Sequence, residues 1–177
     1  YFETWHRQSP TQLTLQERYQ RWINEKQKKQ LVTVTTNETI ANLHVSLEAY
    51  YQSIQRPYYY IHSPEDLICP FHTLEKDSNN HGVIKHERGG PLYNFLTQVY
   101  QEDNPPVLII NYNNFSASEL ARLNALLDKT RAIDGVSIPK YCTIVGLMNT
   151  MKPDCYQGPD FYSRFNDTDC LPETMNP

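Results

Sequence analysis

The chain has 177 residues, of which 39% are hydrophobic and 20% charged, and its formal net charge at pH 7 is −4. These values indicate one folded domain with a buried core and exclude a largely disordered chain. The excess of acidic residues argues against nucleic-acid binding, and no apolar run approaches the length of a membrane span, so no membrane insertion is expected.

The predicted elements begin with a helical arm in residues 1–30, where Thr14 and Glu17 form a capping box. Apolar residues at helical spacing predict four helices, at 15–29, 37–56, 91–99 and 117–127, with Ile54 and Val99 on buried faces. Apolar or β-branched runs predict strands at Leu31–Thr35, Tyr58–Ile61, Val107–Ile110 and Tyr141–Leu147.

Two parts of the chain carry no regular period. Residues 62–90 are rich in Pro, Asp, Asn, Gly and His, and they are expected to form a long loop insertion in the domain. Residues 150–177 are expected to form an irregular tail. Between these parts, strands and helices alternate, which predicts a three-layer α/β fold with a mostly parallel sheet and helices on both faces.

Cysteine and histidine leave two possibilities open. Cys69, His72, His81 and His86 fall within 18 residues, so they are candidates for a zinc site that staples the 62–90 segment. They are otherwise exposed loop histidines beside a buried thiol. The four cysteines do not suggest a disulfide scaffold, so an intracellular protein with reduced thiols is expected; in a secreted protein Cys155 and Cys170 would be the pair.

Four motifs occur in a fixed order between residues 90 and 165. Gly90-Pro91-Leu92 opens a helix, Leu123–Asp128 reads Leu-Asn-Ala-Leu-Leu-Asp, Ile144–Asn149 is an apolar strand ending in Asn, and Phe161–Phe165 contains Ser-Arg-Phe. In this order they resemble the AAA+ ATPase core, in particular its dynein, midasin and MoxR-like branches, from the Walker B strand to the sensor-1 strand. The resemblance implies a P-loop NTPase-like topology, with Asn149 at the sensor-1 position and Arg164 as an arginine-finger candidate.

The nucleotide machinery of that family is missing from the matching positions. The segment after Leu31–Thr35, where the resemblance places a phosphate loop, has no Gly or Lys and carries Glu38. The Walker B carboxylates are replaced by Asn111 and Tyr112, which bring neither charge nor a base. Asn111, Asn149 and Arg164 are therefore only candidates for nucleotide contact. The alternative is that the asparagines form turns and caps and that the arginine is ion-paired.

From these observations we expect a degenerate AAA+-like core that acts as a non-catalytic interaction or scaffolding module with protein partners and no cofactor. We expect it to be a fragment of a larger cytoplasmic protein, and a bacterial effector in the host cytosol is one such context. Two alternatives stay open: an ATP-binding or ATP-hydrolysing module with an atypical site or a phosphate loop elsewhere, and a zinc-stapled binding domain.

Overall fold

The fold is built around a five-stranded sheet whose strands all run parallel. The computed structural model describes residues 13–67, 69–153 and 158–177, without the side chains of residues 69–75 and 85–88. Its strands are β1 (Lys29–Val34), β2 (Tyr58–Ile61), β3 (Cys69–Lys76), β4 (Gly82–Gly89), β5 (Val107–Asn111), β6 (Ala132–Ile133), β7 (Val136–Ser137), β8 (Thr143–Asn149) and β9 (Asp167–Cys170). Its α-helices are α1 (Leu15–Trp22), α2 (Asn37–Ser53), α3 (Pro91–Thr97), α4 (Ala117–Leu127) and α5 (Pro159–Tyr162).

The order of strands in the main sheet is β2-β5-β8-β1-β9. Every residue of β5 and of β8 is buried, as expected of central strands covered on both faces. One face packs against α1 and α2 through residues such as Val32 and Val145, and the other packs against α3, α4 and α5 through residues such as Leu31 and Ile144. The predicted three-layer α/β fold, with a mostly parallel sheet and helices on both faces, is therefore confirmed.

Three predicted helices are shorter than expected. The first ends at Trp22, and it cannot continue to residue 29 because Gln27 has a left-handed φ of 61° and the carbonyl of Lys28 accepts from Ile144 N of β8. The second ends at Ser53 rather than residue 56, and the third ends at Thr97. Two residues predicted on buried faces therefore lie outside their helices: Ile54 is 44% exposed and Val99 is 99% exposed.

The predicted loop over residues 62–90 is wrong, because most of this segment forms the antiparallel hairpin β3–β4. The turn of the hairpin is held by Asp77, whose carboxylate oxygen Oδ1 accepts from Asn79 N at 2.9 Å and from His81 N at 2.8 Å. Asn80 supplies the left-handed φ of 62° that the turn requires. The hairpin escaped prediction because its strands pair with each other and show no apolar period.

The predicted irregular tail also contains regular structure, namely α5 and the edge strand β9. The strand is polar in sequence, but Asp169 is 4% exposed and lies among buried partners. Its carboxylate accepts from Trp22 Nε1 at 2.9 Å and forms an ion pair with the fully buried Arg18 of α1. This cluster joins the first helix to the last strand of the sheet. Cys155, the other member of the possible disulfide with Cys170, lies outside the described residues.

The first prediction concerns this buried ion pair. Asp169→Ala takes a charged partner away from the fully buried Arg18, so it should lower the free energy of unfolding by about 3–5 kcal/mol. The control is Glu102→Ala, which removes an exposed pair with Lys26 at 3.7 Å and should cost less than about 1 kcal/mol. Urea denaturation measures both. Equal losses for the two variants would show that Arg18–Asp169 does not hold β9 in place.

Candidate functional site at the carboxyl edge of the sheet

The candidate site lies where β1, β5 and β8 end side by side. Val34 is in register with Asn149, and Asn111 is in register with Leu147, so the three strands end at one edge of the sheet. From β1 the chain crosses to β2 through α2 on one face, and from β8 it crosses to β9 through α5 on the other face. Ligands of open α/β sheets bind in the crevice at such a change of direction.

The junction between β1 and α2 leaves no loop to wrap a ligand. Only Thr35 and Thr36 separate the strand from the helix. The hydroxyl of Thr36 caps the helix by accepting from Thr39 N at 3.0 Å, and that of Thr35 donates to Glu173 at 2.9 Å. Glu38 lies in the first turn of the helix, where its charge opposes the approach of an anion.

The crevice between β1 and β8 is bridged by Asn149. Its side chain Nδ2 donates to Asn37 Oδ1 at 3.0 Å, which joins the end of β8 to the first residue of α2. Its Oδ1 accepts from Met151 N at 2.9 Å, and its backbone N–H donates to Asn113 Oδ1 at 3.1 Å. Asn149 is 6% exposed, so its side-chain amide is buried and engaged in hydrogen bonds within the protein.

Asn111 and Asn113 form the turn that follows β5. Oδ1 of Asn111 accepts from Asn113 N at 3.1 Å, which caps the short 3₁₀ turn Tyr112–Asn114. The carbonyl oxygen of Asn113 accepts from Lys152 Nζ at 2.5 Å. Asn111 and Asn149 are thus brought to the same edge, as predicted, but their side-chain oxygens are engaged with backbone N–H groups rather than free for a metal.

Tyr112, at the second Walker B position of the resemblance, is a core residue. Its ring packs edge-on against Phe161 and Phe165, with centroids 5.1 Å and 5.9 Å away. A β-carbon on Gly146 would lie only 2.5 Å from Cε2 of this ring, so the glycine of β8 makes room for the tyrosine. Burial raises the pKa of the Tyr112 phenol far above its usual range, which excludes it as a base near neutral pH.

Arg164 lies away from the asparagines, at the amino edge of the sheet. Its guanidinium forms an ion pair with Asp128, which follows α4. Close by, Lys29 at the start of β1 donates from Nζ to Leu127 O at 2.7 Å and from its backbone N–H to Asn166 Oδ1 at 2.7 Å. The three nucleotide candidates therefore do not meet within one chain.

The hairpin register does not bring the four zinc candidates together. His72 is in register with His86, but Cys69 pairs with Gly89 at the open end of the hairpin, whereas His81 lies in the turn at the other end. Seven residues of strand separate the two ends by about 23 Å. The register thus keeps Cys69 too far from His81 for both to bind one zinc ion. The side chains of Cys69, His72 and His86 are outside those described; among the described ones, no group of three or more potential metal ligands occurs.

A cleft of about 390 Å³ opens beside the bridged crevice, between α2 and the ends of β2 and β5. Its wall contains the imidazoles of His44 and His62 and the ammonium of Lys152, and no Asp or Glu is among its described lining residues. A larger groove of about 710 Å³ shares His44, Tyr60 and His62 with it and continues along β2. The remaining cleft residues are Asn37, Ile40, Ala41, Val45, Tyr60, Asn111, Asn113 and Asn114.

Comparison with known proteins adds no assignment, because the chain matches no family model and no curated protein sequence. In the described part of the chain, none of the helices has the length and apolar character needed to cross a membrane. Sequence reasoning missed Asn37 and Lys152 as residues of this edge. The signal for Asn37 was its place at the start of a helix after the first strand, and Lys152 follows Asn149 by three residues.

The second prediction concerns the Asn149 bridge. Asn149→Ala removes the bond to Asn37 and leaves Met151 N without its acceptor, so it should lower the free energy of unfolding by about 1–3 kcal/mol. Asn94→Ala, at an exposed position of α3, is the control and should change it by less than about 0.5 kcal/mol. Chemical denaturation measures both variants, and an unchanged Asn149→Ala midpoint would contradict the structural role of the bridge.

The third prediction concerns Tyr112. Its hydroxyl is buried and has no hydrogen-bond partner among the described residues, so Tyr112→Phe should raise the free energy of unfolding by roughly 1 kcal/mol. The matched control is Tyr19→Phe, which loses a 2.8 Å bond to Ser46 and should lower it by about 1 kcal/mol. Thermal and urea unfolding measure both. Destabilisation by Tyr112→Phe would show that the phenol has a polar partner.

Proposed function

We propose that this chain is a non-catalytic interaction or scaffolding module built on a degenerate AAA+-like core, and that it works inside cells. The observation that carries the proposal is the Asn149–Asn37 bond across the crevice between β1 and β8. A nucleotide phosphate in this architecture would have to lie where that bond lies. The two-residue junction between β1 and α2 leaves no loop to receive it if the bond opened.

Charge supports the same proposal. Phosphoryl transfer depends on positioning and on neutralising the charge of the phosphates, usually with Mg²⁺ and a lysine. The carboxyl edge offers asparagines in place of carboxylates, and Lys152 reaches toward Asn113 on the β5 side rather than toward the junction. Glu38 adds a negative charge at the helix terminus that would face phosphate. These features favour a fold whose remaining role is to present surfaces.

The placement of the AAA+-like motifs supports the choice of core. The strand after the Leu-Asn-Ala-Leu-Leu-Asp helix, β8, lies between β5 and β1, so the positions that resemble Walker B, sensor 1 and the phosphate loop are neighbours. An intracellular setting fits the free thiol of Cys170, which is exposed, and that of Cys142, which is buried.

The fourth prediction tests this function by thermal unfolding in the presence of nucleotide. A ligand at a hundred times its dissociation constant stabilises a protein by about 2.7 kcal/mol, and each kcal/mol shifts Tm by about 2–4 °C at this chain length. We expect no shift with 5 mM ATP, ADP or either nucleotide with Mg²⁺ beyond that produced by tripolyphosphate of equal ionic strength. A nucleotide-specific rise of several degrees would overturn the non-catalytic assignment in favour of a nucleotide-binding module.

A further inference from the structure

The strand β2 forms an open edge of the main sheet. It pairs with β5, and no described strand pairs with its other side. Val107 N donates to Pro57 O at 2.9 Å, so the backbone groups of Pro57, Tyr59 and Ile61 face β5. By the alternation of a strand, those of Tyr58 and Tyr60 face outward. Unpaired edge groups of this kind accept a further strand.

A groove runs along this open edge. Its lining includes Tyr58, Tyr59 and Tyr60 together. Consecutive strand residues point to opposite faces, so a groove that touches all three follows the edge rather than one face. The ring of His44 on α2 stacks on Tyr60 with centroids 3.6 Å apart, and His44 Nε2 lies 3.0 Å from Glu48 Oε1. These contacts give the groove a fixed aromatic wall.

The groove itself is lined by two carboxylates, and both are engaged within the protein: Glu48 Oε1 lies 3.0 Å from His44 Nε2, and Asp66 Oδ2 accepts from His62 N at 2.8 Å and from Ser63 N at 3.1 Å. The carboxyl end of the groove offers a positive charge to a partner. There it merges with the cleft that holds Lys152, through the shared residues His44, Tyr60 and His62. The cleft has no Asp or Glu in its wall, although the chain has 20 acidic residues against 16 Lys and Arg. The ammonium of Lys152 contacts the backbone carbonyl of Asn113 and, among the described residues, no carboxylate within 4.0 Å. Donors on this ammonium remain for a partner.

We infer that this groove binds an extended, acidic segment of a partner protein. The backbone of the segment pairs with Tyr58 and Tyr60 on the free edge of β2, and its carboxylate reaches Lys152 at the end of the groove. This inference rests on the proposed interaction function and names the chemistry of the partner. Main-chain pairing supplies affinity without sequence preference, and the charge contact selects acidic segments.

The test uses fluorescein-labelled eight-residue peptides and fluorescence anisotropy with the full chain at low salt. Each peptide has six alternating Thr and Val residues and two Glu residues, placed at the carboxyl end in one probe and at the amino end in a second. Matched probes replace Glu by Gln. A Glu probe should bind about five- to tenfold more tightly than its Gln match, because only the carboxylate makes a charge-assisted bond to Lys152.

Two sets of variants separate charge from pairing. Lys152→Gln should bring the Glu-to-Gln ratio to about one, Lys152→Arg should preserve it, and Lys129→Gln, at an exposed position after α4, should leave it unchanged. Methylation of alternate backbone nitrogens in the Glu probe, on the side that would face β2, should weaken binding at least about tenfold by removing donors. Each variant is first checked for a native melting transition.

Several results would overturn the inference. They are equal binding of Glu and Gln probes, a preference that survives Lys152→Gln, full binding of the methylated probe, and no binding of any probe at 1 mM. Sedimentation analysis could also show a dimer that the peptides do not dissociate. In that case a second copy of this chain, and not an acidic partner segment, occupies the edge of β2. These outcomes leave the non-catalytic function standing, whereas nucleotide-specific stabilisation removes that function whatever the peptides do.

Discussion

The hydrogen bond from Asn149 to Asn37 is the constraint on which the carboxyl edge depends. It joins the last residue of a buried central strand to the first residue of the longest helix, across the position where open α/β sheets bind ligands. The side chain of Asn149 also accepts a hydrogen bond from Met151 N, and its backbone N–H donates to Asn113 Oδ1. One buried residue therefore makes three hydrogen bonds at this edge. The junction of β1, β8 and α2 is thus joined by hydrogen bonds within the protein, and a cleft opens beside it at the ends of β2 and β5.

The rest of the architecture supports that edge by packing on both faces of the sheet. The two central strands are buried throughout, and separate hydrophobic clusters hold helices on each face. At the far side of the sheet, Arg18 and Trp22 bind Asp169, so the edge strand β9 is held by side chains rather than by an apolar sequence. Both edge strands, β9 and β2, pair on one side only among the described strands, and β2 borders the cleft with Lys152.

The sequence predicted what local patterns determine. The apolar run of β5 and the helical spacing of apolar residues over 117–127 specify a strand and a helix with nearby residues alone, and both are present. The strand β9 was missed because its buried residue Asp169 is charged, and the ion-pair partner that stabilises it there, Arg18, is 151 residues away in sequence. The hairpin β3–β4 was missed because strands that pair mainly with each other need no apolar face. Val99 was placed inside a helix that in fact ends two residues before it.

For the site, the sequence located Asn111 and Asn149 at one edge, since parallel strands end together, but it could not say what their side chains contact. A crystal structure of the chain grown with Mg²⁺ and a non-hydrolysable ATP analogue tests the account most directly. We predict that Asn149 Nδ2 remains about 3 Å from Asn37 Oδ1, as expected of a hydrogen bond, with no nucleotide between them. Electron density for the ATP analogue between Asn149 and Asn37, with the hydrogen bond between them broken, would contradict the account.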